Sequence, residues 1–494
     1  MAIAPPPAKT LEELQFANSF AALGDAFSES RSPKGIPNAR LVAFSPAAAE
    51  LIDLRPGEER RPEFLALASG NALVRGMEPV AAMYGGHQFG VWAGQLGDGR
   101  AILLGEVHSS SRAQGAGCWE LQIKGGGMTA FSRFADGRAV VRSTVREFLA
   151  SEAMDALGIP TTRALAMTAG DEPVLRERIE RAATIIRVAP SFVRFGSFEI
   201  FHYRKQFDAV KTLADYTIER YFPQITHPDE RVRYARFLEA VVDRTAMLMA
   251  QWQAVGFAHG VMNTDNFSIL GLTLDYGPYG FIEAYDPGFI CNHTDEGGRY
   301  AFDRQPTVGF WNCHALAAAL SSLITEDDRK AALARYEPAF WTTYLVRMNA
   351  KLGLLESADG NVALVEDVVT LLAQRRVDWT NFWRALSHDD ASALALLGED
   401  ETSRAWFARY RAHAALDPRD DAKRRIAMRA ANPKFVLRNW IAQQAIEACE
   451  AGDDAVVRAA YDVLRAPYDE HPEHNAWANP APPEYAHLEV SCSS

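Results

Sequence analysis

Apolar residues recur at helical spacing through RAVVRSTVREFLASEAMDALG, and the run stops at Gly158 with Pro160 beyond, which predicts a helix ending there. Just upstream, AILLGEVH and CWELQIKG are short apolar runs either side of SSSRAQGAG, and they predict two strands joined by a loop. From Tyr84 to Lys124 glycine punctuates such runs, and TIIRVAPSFVRFG predicts a further strand followed by a turn. Over residues 228–256, Val232, Phe237, Val241, Met247 and Trp252 stand at roughly helical spacing, predicting a long helix that delivers the chain to His259. FSILG and FIEAYD then predict two strands separated by the turn chemistry of DYGPYG. From about residue 310 the pattern is mainly helical. The Pro- and Ala-rich first dozen residues are expected to be loose, and no fixed-period repeat is present.

Composition narrows the class. The chain has 494 residues, 48% hydrophobic and 23% charged, as expected of a globular protein of one to three domains. A net charge of -12 argues against nucleic-acid binding and against an acidic membrane surface, both of which call for a basic face. No apolar run of about 18 residues predicts a transmembrane helix, and the N-terminus lacks a secretory pattern. The five cysteines form no CxxC pair, so a reducing, cytoplasmic location is the expectation, and the acidic, patchless composition points to a monomer.

Candidate chemistry centres on HGVMNTDN. Protein kinases carry H-R-D-x-x-x-x-N, whose Asp accepts the substrate proton and whose Asn holds a metal. His259, Gly260 and Asn266 stand at that spacing, but the catalytic Asp position is Val261. Asp265 offers a carboxylate from a different position. Asp275, in DYG, has the type and order of the second kinase metal ligand, while Asp286 in IEAYDPG competes for that role and spacing leaves both open. Lys124, at a strand end, is of the type that pairs with nucleotide phosphates, and Glu147 on the following helix is its natural partner. Arg187 and Arg194 suit bidentate phosphate contacts. Gly94, Gly97 and Gly99 offer bare backbone to phosphate, although their spacing is neither of the familiar phosphate-loop forms. His259 is expected to organise backbone, since no neighbouring Cys or His stands at zinc-ligand spacing.

HGVMNTDNFSILGLTLDYGPYGF, KGGGMTAFSRFADGRAVVRSTVREFLASEAM and RVAPSFVRFGSFE together resemble the selenoprotein O family, and NSFAALGDAF and ANPKFVLRNWIAQQAI extend the similarity over nearly the whole chain. KGGGMTAF departs from the family's KGAGxTPYSR wording, and the segment between Arg100 and Lys124 is longer than expected. The resemblance implies an α+β, protein-kinase-like fold with a smaller β-containing N-lobe and a larger helical C-lobe. Its expected divisions are an extension over 1–80, the N-lobe over 81–195, the C-lobe over 196–480 and a flexible tail over 481–494. It implies transfer of AMP from ATP to Ser, Thr or Tyr hydroxyls of target proteins, with UMP from UTP as a further activity. Carried over by position, Gly97, Gly99, Arg100, Lys124, Asp136, Gly137, Arg187 and Arg194 contact nucleotide, Glu147 supports Lys124, and Asp265 is the base. Asn266 and Asp275 hold Mg2+ or Mn2+, which favours Asp275 over Asp286 by analogy. Cys492 stands where some members carry selenocysteine, and Cys291 is its candidate redox partner. The competing readings are a kinase-type phosphotransferase with a displaced base and an inactive nucleotide-binding pseudokinase.

Overall fold

Period-2 alternation in the central strands sorts apolar and charged side chains onto opposite faces of one sheet. In the computed structural model, which describes residues 8–110, 117–355 and 360–490, the main sheet is antiparallel. Its order is Ser28–Ser30, Val80–Ala82, Ala101–His108, Cys118–Lys124, Ile179–Ala189, Arg163–Leu175 and Arg40–Phe44. On Cys118–Lys124, Trp119, Leu121 and Ile123 pack with Ile52, Phe64 and Leu67 of the N-terminal segment. Glu120, Gln122 and Lys124 point the other way. Ile185 pairs with Lys124 and Arg187 with Gln122, so Arg187 joins this polar face.

The Val141–Ala156 helix lies on that same face, with Val145, Phe148 and Leu149 fully buried. Burying each such side chain contributes about 1.5–3 kcal/mol. The helix ends as its sequence predicts, with Gly158 at φ 70. The Glu230–Val255 helix is capped by the Asp229 side chain at Arg231 N and closes on Gly256 at φ 78. From Gln305 to Arg465 the described chain is helical apart from short connections. Trp379, Phe382, Trp383, Trp406 and Tyr410 centre a second core there.

Segments far apart in the sequence share the main sheet and the helices packed on it. Ser28–Ser30 and Arg40–Phe44 of the first eighty residues are strands of the main sheet. The late helices Asn439–Glu450 and Ala455–Arg465 return to pack on Val141–Ala156. Arg40 pairs with Asp454 at 2.9 Å and Arg465 with Asp155 at 2.8 Å.

Two strand expectations need correction. FSILG forms no strand: Arg194 and Ser268 make an isolated bridge, and Gly271 turns the chain at φ 70. Its backbone groups bond instead to residues 193–195, through Phe195 N to Phe267 O (2.9 Å) and Ile269 N to Val193 O (3.1 Å). Of FIEAYD only Phe281, with Gly280, is strand, paired with Phe257–Ala258. The Arg163–Leu175 strand was not legible as one, because β-branched residues are few in it and Gly170, Asp171 and Pro173 interrupt it. Among the described residues no helix is long and apolar enough to cross a membrane.

Candidate active site

The charged side chains of the sheet's polar face converge with the HGVMNTDN segment on a cavity of about 590 Å³. Lys124, at the end of its strand, donates to Glu147 Oε2 at 2.6 Å. Glu147 accepts from Arg187 through its other oxygen at 3.1 Å. One carboxylate on the Val141–Ala156 helix therefore positions two cations from neighbouring strands. Arg187 also bonds Gln122 and Asp275. Arg194 reaches Asp275 Oδ2 at 2.8 Å and the Asp265 carbonyl at 2.7 Å, and lies over the Tyr84 ring at 4.5 Å. Three cations thus surround Asp275, with Lys124 Nζ at 3.8 Å. Burial alone would push the Asp275 carboxyl up, but Arg187, Arg194 and Lys124 outweigh it and hold it well below the usual carboxylate range. Its φ of 55 is a conformation that Asp tolerates better than most residues.

Asp265 has the opposite character. Burial pushes its carboxyl up to about 7, against the pull of Arg194. Its Oδ1 is buried with no hydrogen-bond partner. The cover is the Gly85–Gln88 and Val91–Gln95 hairpin: a Cβ on Gly86 would stand 2.9 Å from Asp265 Oδ1. His87 N donates to Thr264 Oγ1 at 2.7 Å and Phe89 N to Asn263 Oδ1 at 3.1 Å, which ties the hairpin to the HGVMNTDN segment. Nucleophile activation calls for a carboxylate of this kind, raised towards neutrality and short of partners.

Asn266 donates its Nδ2 to the Val261 carbonyl at 3.0 Å, leaving Oδ1 as the acceptor of that amide. Asn266 and Asp275 both line the cavity, and their hard oxygen donors fit Mg2+ or Mn2+. Asp286 is set apart, paired with Arg376 at 2.9 Å. His259 is structural: it donates from Nε2 to Leu274 O at 2.8 Å and stacks on Trp252.

Gly97, Gly99 and Arg100 line the cavity. At Gly97 (φ 123) a Cβ would strike Phe131, and at Gly99 the Phe131 carbonyl at 2.9 Å, so these glycines also admit the 129–135 loop. Asp136 turns to Arg176 at 2.7 Å, and Gly137 (φ 72) packs on Gly127; neither lines the cavity, although their neighbours Phe131 to Ala135 do. Cys291 is buried behind the site, bonding to Ala258 O at 3.4 Å. Cys492 lies outside the described residues, while the tail before it reaches Val490, whose carbonyl accepts from His293 N at 2.9 Å.

Sequence reasoning missed Tyr84, Asp98, Gln122 and the covering hairpin. Only Asp98, inside GDG, had any local signal. Glu106, His108 and Cys118 also come within 4.8 Å of one another, a juxtaposition made across two strands and invisible to linear spacing.

The chain matches the family described as protein adenylyltransferase SelO over residues 10–464. It is 51% identical to protein nucleotidyltransferase YdiU of Myxococcus xanthus, with 98% of this chain and 100% of that protein covered. The protein of the same name from Thioalkalivibrio sulfidiphilus is 51% identical, covering 98% and 99%, and that from Azotobacter vinelandii 47%, covering 98% and 100%. Matched by that family over residues 10–464 and about half identical to these relatives over nearly its whole length, the chain belongs to the SelO family of protein adenylyltransferases.

Proposed function

We propose that the protein transfers AMP from ATP to Ser, Thr or Tyr hydroxyls of target proteins, with UMP from UTP as a second activity, on a kinase-like two-lobed frame. The observation that carries this reading is the pairing of Val261, where a kinase has its base, with a half-buried Asp265 whose carboxyl is pushed up towards neutrality. Asp265 accepts the proton of the acceptor hydroxyl as its oxygen attacks the α-phosphorus, and pyrophosphate leaves. Lys124, Arg187 and Arg194 hold the β- and γ-phosphates; phosphate oxygens draw the two guanidinium groups away from Asp275. Asn266 and Asp275 hold Mg2+ or Mn2+, which when bound supplies charge neutralisation at the phosphates. Glu147 keeps Lys124 and Arg187 in place. Arg100 and the Gly97–Gly99 backbone complete the nucleotide contacts, and Asp136 and Gly137 act through the loop they anchor.

A redox control is a second proposal, in which Cys291 pairs with Cys492. The hydrogen bond between His293 and Val490 supports it by bringing the tail alongside Cys291.

Product analysis tests the reading. Purified protein with ATP, Mg2+, a reductant and a protein mixture releases pyrophosphate and no ADP; ADP as the product returns the kinase reading, and release of neither returns the pseudokinase.

A further inference from the structure

A second cavity, of about 510 Å³, lies away from the nucleotide site, where the end of the Phe207–Tyr221 helix meets the Glu230–Val255 helix and the turn at Gly271. That size falls within the roughly 300–1,000 Å³ of small-molecule sites. Its walls are mostly apolar, with Leu248, Leu270, Leu272 and Pro190 among them. Into this lining comes Arg244.

Arg244 makes no ion pair or hydrogen bond among the described residues. Its guanidinium carbon lies over the Phe222 ring, 4.2 Å from the ring centre. Burial alone acts on it, drawing its pKa down. Glu219, the carboxylate in the lining, is exposed and does not pair with Arg244. Two more polar groups in the lining are unsatisfied: Arg220 Nε and Gln251 Oε1. Arg220 itself is neutralised by Glu106 at 2.6 Å, so Arg244 is the uncompensated charge. Arg244 is half-buried with no carboxylate beside it among the described residues, and a guanidinium fork matches a carboxylate in two parallel hydrogen bonds.

We propose that this cavity is a binding site for a small amphipathic carboxylate, its anionic end on Arg244 and its apolar body against Leu248, Leu270 and Leu272. A single free cation suits a monoanion better than a phosphate dianion, and the walls favour a hydrocarbon body. The site shares a wall with the catalytic segment: Leu270–Leu272 lies between Asn266 and Asp275, and a Cβ on Gly271 would stand 2.8 Å from Arg244 Cβ.

Calorimetry and ligand-observed NMR on the full chain, with octanoate as the probe, test the proposal. Octanoate is expected to bind saturably at one site, undisplaced by ATP. Octanol and inorganic phosphate are expected to bind at least about tenfold more weakly, and Arg244→Met to weaken octanoate by a similar factor. Met247→Trp, at the exposed rim, narrows the cavity without touching Arg244 and is expected to weaken octanoate too. Without ligand, Arg244→Met is expected to melt no lower than the parent, because it removes an uncompensated charge. Equal binding of octanoate and octanol, displacement by ATP, or full affinity in both variants would overturn the site; so would a parent that binds no octanoate.

Discussion

Asp265 and Asp275 are carboxylates of one segment driven in opposite directions by their surroundings. Asp275 has three cations and is held ionised; Asp265 is half-covered by a hairpin, and desolvation pushes its carboxyl up to about 7. A base must be deprotonated, so kcat/KM is expected to rise with pH through about 7 and then level, measured over pH 5.5–9. Stability runs the other way. The folded-state pKa of Asp265 lies above its unfolded value, so its contribution is present at low pH and lost as pH rises through about 7. Asp265→Asn is therefore expected to lower activity by about 10²-fold or more. At pH 8 it is expected to raise unfolding free energy by about 1 kcal/mol or more, with a smaller gain at pH 5, because the contribution is lost progressively between about pH 4 and pH 7. Calorimetric melting at the two pH values checks this. The main carriers of charge were legible because the kinase-like order Lys124, Glu147, Asn266, Asp275 survives in linear form. Tyr84 and Gln122 were not, since their roles exist only once the Arg194 and Arg187 side chains are folded against them.

At the scale of elements, the Gly85–Gln95 hairpin decides what Asp265 is. It was read as part of a glycine loop for phosphate; its placement over Asp265 depends on contacts to residues far along the chain, which periodicity does not encode. Gly86→Ala puts a methyl 2.9 Å from Asp265 Oδ1 and 3.2 Å from its backbone nitrogen. The expected outcome is a loss of kcat of about tenfold or more with the fold retained, since misplacing a reacting group by about 1 Å has effects of that order or larger. Steady-state kinetics with circular dichroism measures it. The Lys124–Glu147–Arg187 bridge makes a second test. Glu147→Ala leaves two buried cations short of a carboxylate and is expected to destabilise by about 3–5 kcal/mol in denaturant titration. Strands with Val, Ile and Leu were readable, as in AILLGEVH. FSILG was misread because its hydrogen bonds go to residues 193–195 and not to a ladder.

Over the whole molecule, the end of the chain closes on its beginning. The Ala455–Arg465 helix packs on Val141–Ala156 and on the Arg40–Phe44 strand, with Tyr461 against Phe148 at 5.6 Å between ring centres. The helix that carries Glu147 is thus braced by residues some three hundred positions later, a contact that no local pattern announces. Val457 is fully buried in this packing. Val457→Asp places an unpaired charge there and is expected to lower the melting temperature by several degrees and activity with it, seen by differential scanning calorimetry.

In the proposed reaction the α-phosphate, not the γ-phosphate, meets the acceptor beside Asp265. The most direct measurement incubates the protein with a protein mixture, Mg2+ and a reductant, using ATP labelled on either phosphate, with Asp265→Ala alongside. Label in protein from α-labelled ATP alone, absent with the variant, is the predicted result; label transferred from γ-labelled ATP would contradict it.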